Sequence, residues 1–172
     1  ELTATPKTVG ARSTDFKNVI YRYGLAEAME DGFIKEPAVA TRKDFDPSDY
    51  GDDALEEIKL VDGIHAHENV KLKLRDFADR TGKPFVHPFM LVVAQDTGHA
   101  ERIRRKIEGT DFFGGRYAGR VIRIDSALRG DESDEATARL VALESDGQTE
   151  IVIHVNKLKE GWDVTNLYTI VP

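Results

Sequence analysis

The residue types able to handle a phosphate or a nucleotide gather in three short polar stretches of this chain. They are Gln95-Asp96-Thr97-Gly98-His99, Asp125-Ser126, and residues 156–163, which end in Gly161-Trp162-Asp163. Each offers hydroxyls, amides or backbone N–H groups, the donors from which a surface that follows a phosphate backbone is made. Singly, Thr97 and Ser126 read as an ordinary helix cap and an ordinary turn; together, on one edge, the stretches would amount to a site. The third carries a tryptophan between a glycine and an acid, in a turn that separates two apolar runs at 151–153 and 167–171.

Other chemistries find little support. His65 and His67 are two residues apart, which on a helix points them to different sides, so no shared metal is expected and both read as solvent-exposed. No GxxxxGKS/T loop is present to cradle nucleotide phosphates, and no GxSxG elbow to carry a nucleophilic serine. Cysteine is absent, which removes disulfides and thiolate metal sites and fits a reducing, cytoplasmic compartment. Gly114-Gly115 with Arg116 and Arg120 reads equally as a phosphate contact or as a flexible basic turn.

The elements that must position these stretches follow from periodicity and punctuation. Residues 16–23 suggest a short strand, 25–30 a short helical run closed by Gly32, and 34–40 an extended segment around Pro37. After an acidic turn region, Ser48 or Asp52 is placed to cap a long helix over 53–80. Its apolar positions are Leu55, Ile58 and Val61, then Val70, Leu74, Phe77 and Ala78, and Gly82 with Pro84 ends it. The run PFMLVVAQ, at 88–95, is nearly all apolar, as a strand buried on both faces requires. A helix over 97–108, capped by Asp96 or Thr97, follows; then a strand at 120–124, a helix at 134–144, and strands at 150–155 and 167–171. Such alternation with short connections predicts an α/β fold with a parallel sheet and right-handed crossovers. Ligands of such sheets sit outside the carboxyl ends of the strands, so the three polar stretches are expected on one edge.

At 172 residues the chain is one domain, or one domain with an appendage, and its composition (32% charged, 40% hydrophobic) is ordinary for a soluble globular protein. No apolar stretch approaches a membrane span and no leader opens it. The net charge of −7 hides a segregation: residues 100–123 hold seven Lys and Arg against three acids, and residues 131–150 hold seven acids against Arg139. A local basic stripe on an acidic molecule is still able to meet a polyanion.

Four segments, in order from one terminus to the other, carry a family resemblance. Thr3-Ala4-Thr5-Pro6 resembles motif III of superfamily-two helicases. The stretch YGLAEAMEDGFIKEP, at 23–37, resembles the entry to the second RecA-like domain in the helicase subunit of type III restriction enzymes. PFMLVVAQDTGHAERI, at 88–103, is similar to that group's motif IV region. VNKLKEGWDVTNLYTIVP, at 155–172, looks like its motif V, with Gly-Trp-Asp where other helicases have Gly-Ile/Leu-Asp.

The resemblance implies a RecA-like parallel sheet flanked by helices, the second domain of such a helicase. Residues 1–35 would be the end of the first RecA-like domain and the hinge, and 36–172 the second domain, stopping before motif VI and including the helix near 53–80. The parent would be an ATP hydrolase and DNA helicase or translocase, and with a nuclease domain a restriction endonuclease. It would use ATP and Mg²⁺ between its two RecA-like domains, while this piece alone, lacking the phosphate-binding loop, is expected to hold neither tightly and to be inactive. Gly161 and Asp163 would line the nucleotide cleft, and Thr3 and Thr5 would couple the nucleotide and nucleic-acid sites. Thr97, His99, Asn156 and Lys157 would contact nucleic-acid phosphates, and Trp162 would anchor its loop by packing. The implied partners are DNA, the first RecA-like domain and a DNA-methyltransferase subunit. The alternative is a non-catalytic nucleic-acid- or protein-binding module of the same fold. A small-molecule site on a flavodoxin-like sheet is disfavoured by the lack of a glycine-rich first βα turn.

Overall fold

The structure, a computed structural model, describes residues 14–125, 142–143, 145–155 and 164–172. The chain divides into two units, Glu1–Phe45 and Asp46–Pro172. In the first, helix α1 (Leu25–Glu30) forms where the sequence predicts it. Its start is fixed by Glu27, whose carboxylate accepts the Gly24 N–H at 2.9 Å, and its end by Gly32 at φ +76°. The Tyr23 hydroxyl donates to Asp31 at 2.6 Å and the Tyr23 ring meets Phe33 edge to face. The strand expected at 16–23 is not formed; an isolated bridge at Asp15 is all the pairing there. Apolar content alone does not make a strand without a neighbour to take up its N–H and C=O groups.

The second unit is built on a sheet of β1 (Phe89–Ala94), β2 (Val121–Asp125), β3 (Ile151–Val155) and β4 (Leu167–Val171). The order is β2-β3-β1-β4 and every pairing is parallel. β1 and β3 are the interior strands, which explains why both read as unbroken apolar runs: each must bury both sets of alternating side chains. Met90, Val92, Ala94, Ile151, Ile153 and Val155 face one cluster; Phe89, Leu91 and Val152 face the other.

Two long helices cover the first face. Helix α2 (Asp52–Thr81) packs through Leu60, Gly63 and Ile64, and α3 (Thr97–Glu108) through Ala100, Ile103 and Ile107. At Gly63 the helix lies so close that a Cβ would stand 2.3 Å from Val171 Cγ2. The helix thus packs on the sheet. Its buried stripe is Leu60, Gly63, Ile64 and His67, whereas Phe77, expected to be inward, is 44% exposed. Neither Ser48 nor Asp52 caps it: Gly51 holds the N-cap position, and Ser48 lies in a single 3-10 turn (Pro47–Asp49) capped by Asp46. Gly82, in the left-handed region at φ +68°, closes the helix as predicted.

Chain direction reverses within the sheet. From β1 the chain runs over the first face through α3 to β2 at the edge, and returns to β3 between them. Leu143, on the way back, sits in the cluster of the opposite face, as does Val164 on the way from β3 to β4. A right-handed crossover must change face when it changes direction. The helix expected at 134–144 falls almost wholly outside the described residues.

Candidate functional site

Ala94, the last residue of β1, pairs with Val155, the last of β3. Beyond Ala94 the chain turns into α3 on the first face, and past β3 it reappears at Val164 on the second. Adjacent strands whose continuations diverge to opposite faces define the switch point where open α/β sheets place their ligands. Gln95 therefore begins its polar stretch at an edge that Ala94 shares with Val155.

The β1 side of this edge is well ordered by hydrogen bonds. Asp96 takes the N-cap of α3, its Oδ1 accepting the His99 N–H at 2.8 Å. That bond, with one from Gly98 and the charge of Arg102, outweighs the desolvation that acts to raise the Asp96 carboxyl and holds it below its ordinary range. Thr97 is the first helical residue and is exposed. The His99 ring is largely covered and engaged at both nitrogens: Nδ1 accepts the Gln95 N–H at 3.1 Å, and Nε2 lies 2.5 Å from Glu56 Oε2. A nitrogen that accepts from an amide carries no proton of its own, so the ring's proton is on Nε2 and is donated to Glu56.

Of the residues expected to form the site, Thr97 and His99 thus share the carboxyl edge of β1. Gly161, Asp163, Asn156, Lys157, Thr3, Thr5, Trp162 and Ser126 lie outside the described residues.

A second polar cluster sits at the opposite, amino edge, and sequence reasoning missed it. Glu150, directly before β3, is buried. It receives Lys71 Nζ at 2.6 Å and a shorter contact from Arg120 Nη1, while His67 Nε2 lies 3.4 Å away. Lys71 also bonds Glu68 at 3.0 Å, and Glu68 accepts the Tyr117 hydroxyl at 2.7 Å and Arg116 at 3.0 Å. Burial acts to raise the Glu150 carboxyl; the bonds from His67, Lys71 and Arg120 win and hold it at about 2. Burial and the bond to Glu68 push the Tyr117 hydroxyl up. His67 was expected at the surface and is fully buried. The signal was present: positions 60, 64, 67 and 71 follow one helical stripe, so His67 belongs to the face of Leu60 and Ile64.

His67, Glu68 and Glu150 bring possible metal-ligand atoms within 4.8 Å of one another. The Lys71 ammonium already bridges both carboxylates, where a cation would have to stand. These two acids and others form ion pairs with the basic stripe. Arg116 and Arg120 are tied to Glu68 and Glu150, Lys106 to Glu57, and Arg104, Arg105 and Arg123 to Glu101. Glu101 is one of the stripe's own acids; what the linear sequence does not display is that Glu57 and Glu68 of α2 and Glu150 before β3 answer three of its cations.

Fold and site together define an α/β domain with an all-parallel sheet flanked by helices and a polar switch-point edge. Among the described residues no helix is long and apolar enough to cross a membrane. Comparison with protein-family models, with curated proteins and with solved structures gave no match.

Proposed function

We propose that this chain is the second RecA-like domain of an ATP-dependent DNA helicase or translocase, of the kind that forms the restriction subunit of type III restriction enzymes. It would supply one wall of an ATP cleft and an edge that follows a nucleic-acid backbone. The observation that carries the reading is the pairing of Ala94 with Val155. The segments that resemble motifs IV and V are far apart in sequence, and the reading requires them to leave the sheet side by side. Thr97 and His99 stand at that edge as phosphate contacts, with Asn156 and Lys157 from the neighbouring stretch. Gly161 and Asp163 serve the nucleotide side, and Thr3 and Thr5 link the two. ATP and Mg²⁺ act between this domain and a first RecA-like domain, so this chain by itself does not turn over ATP.

Fluorescence anisotropy with two unrelated single-stranded oligonucleotides tests the reading. The expected result is equal affinity for both and a linear fall of log affinity with log salt, as backbone contacts require. Robust Mg²⁺-dependent ATP hydrolysis by the purified 172-residue chain would contradict it. The ion-paired state of residues 104–123 favours a second reading, a non-catalytic module that binds protein. Absence of any oligonucleotide binding at low salt selects that one.

A further inference from the structure

The proton on His99 Nε2 is the ring's one means of bonding a phosphate oxygen, because Nδ1 is taken by the Gln95 amide. In the structure that proton belongs to Glu56. The neighbouring backbone donor, the His99 N–H, is taken by Asp96. An anion approaching the start of α3 therefore meets two carboxylates that hold the very donors it needs.

The two are not equivalent. Asp96 is the cap of its own helix, and its withdrawal would leave an α3 N–H unsatisfied. Glu56 belongs to a different element, the second turn of α2, and its side chain is 28% exposed. It can return to water by a change of side-chain rotamer alone, with Leu60 and Ile64 keeping the helix on the sheet. We propose that Glu56 is an autoinhibitory occupant of this edge: it holds His99 until a phosphate displaces it, while α2 itself stays packed on the sheet. This rests on the reading of His99 as a phosphate contact. It gives a reason for a glutamate of α2 to face the donor.

The test uses a fluorescein-labelled single-stranded oligonucleotide of mixed sequence at fixed low salt. Glu56→Gln replaces a charge-assisted bond to His99 with a weaker neutral one that a phosphate displaces more readily, and is expected to tighten binding about fivefold. Asp53→Asn, which removes a charge one turn earlier on the same helix, is expected to change affinity less than about twofold at the same salt. In Glu56→Gln/His99→Ala the gain over His99→Ala alone should vanish. Equal gains from Glu56→Gln and Asp53→Asn, or a gain that survives loss of His99, would overturn the proposal. Nitrogen-15 spectra of the unaltered protein give an independent readout: His99 Nε2 should shift on titration with the oligonucleotide. Binding that leaves the His99 signals unmoved sinks this inference alone. No binding by any variant sinks the nucleic-acid reading and the inference together.

Discussion

Replacing Glu150 with Gln should destabilise the second unit, and the loss should fade in acid. A carboxyl held at about 2 instead of its ordinary 4.5 contributes about 3 kcal/mol at about 1.4 kcal/mol per pH unit. The folded-state value is depressed, so this stability is fully present above pH ~4.5, and is lost as pH falls toward ~2. Glutamine keeps the shape and can still accept a hydrogen bond, but it cannot balance Lys71 and Arg120. Breaking a buried pair costs roughly 3–5 kcal/mol when the orphaned charge stays buried. Here Arg120 is half exposed and Lys71 partly so, and both can regain water, which puts the expected cost at the lower end, about 2–3 kcal/mol. Urea unfolding followed by circular dichroism, at neutral pH and at a series of lower values, measures it. The gap between the native chain and Glu150→Gln should be widest near neutrality, shrink below pH ~4.5 and close only as pH approaches ~2, where the native carboxylate is protonated. A gap that stays constant across that range, or that is already under about 0.5 kcal/mol at neutral pH, would mean that the network holds no net stability and that the charges are solvated as well apart as together.

Gly63→Ala tests the close approach of α2 to the sheet. Its Cβ would enter 2.3 Å from Val171 and 3.1 Å from Met90, so the expected cost is about 1–3 kcal/mol in urea unfolding, where a helix interior would otherwise gain from alanine. An unchanged or raised midpoint would place α2 farther from β4 than described. Lys71→Ala removes the ammonium that bridges Glu68 and Glu150, and should let His67, Glu68 and Glu150 take up Zn²⁺ where the native chain takes up none. Titration calorimetry of both proteins checks this, and equal zinc uptake by the two would show that the lysine does not fill the site.

Much of the local structure was legible because local rules produced it. The span of β1 follows from a run of residues that can only be apolar if both faces are covered, as they are. Helix α3 follows from Asp96 as a cap and from the spacing of Ala100, Ile103 and Ile107. The end of α2 follows from Gly82, whose left-handed backbone angle costs any other residue more. The stretch at 16–23 misled because β propensity describes a fit to a neighbouring strand, and among the described residues no strand pairs with it.

Among the described residues of the second unit, the sequence alone determined the two long helices and the four strands, and that the sheet is parallel. These depend on contacts within a few residues of one another. Only the tertiary structure decided the order β2-β3-β1-β4, and with it that Ala94 and Val155 share an edge. It also decided that Glu56 faces His99 across 43 residues and that Glu150 meets Lys71 across 79. Charge balance is a matter of distance in space: part of the basic stripe pairs with its own Glu101, and Lys106, Arg116 and Arg120 pair with acids that the chain order keeps far away.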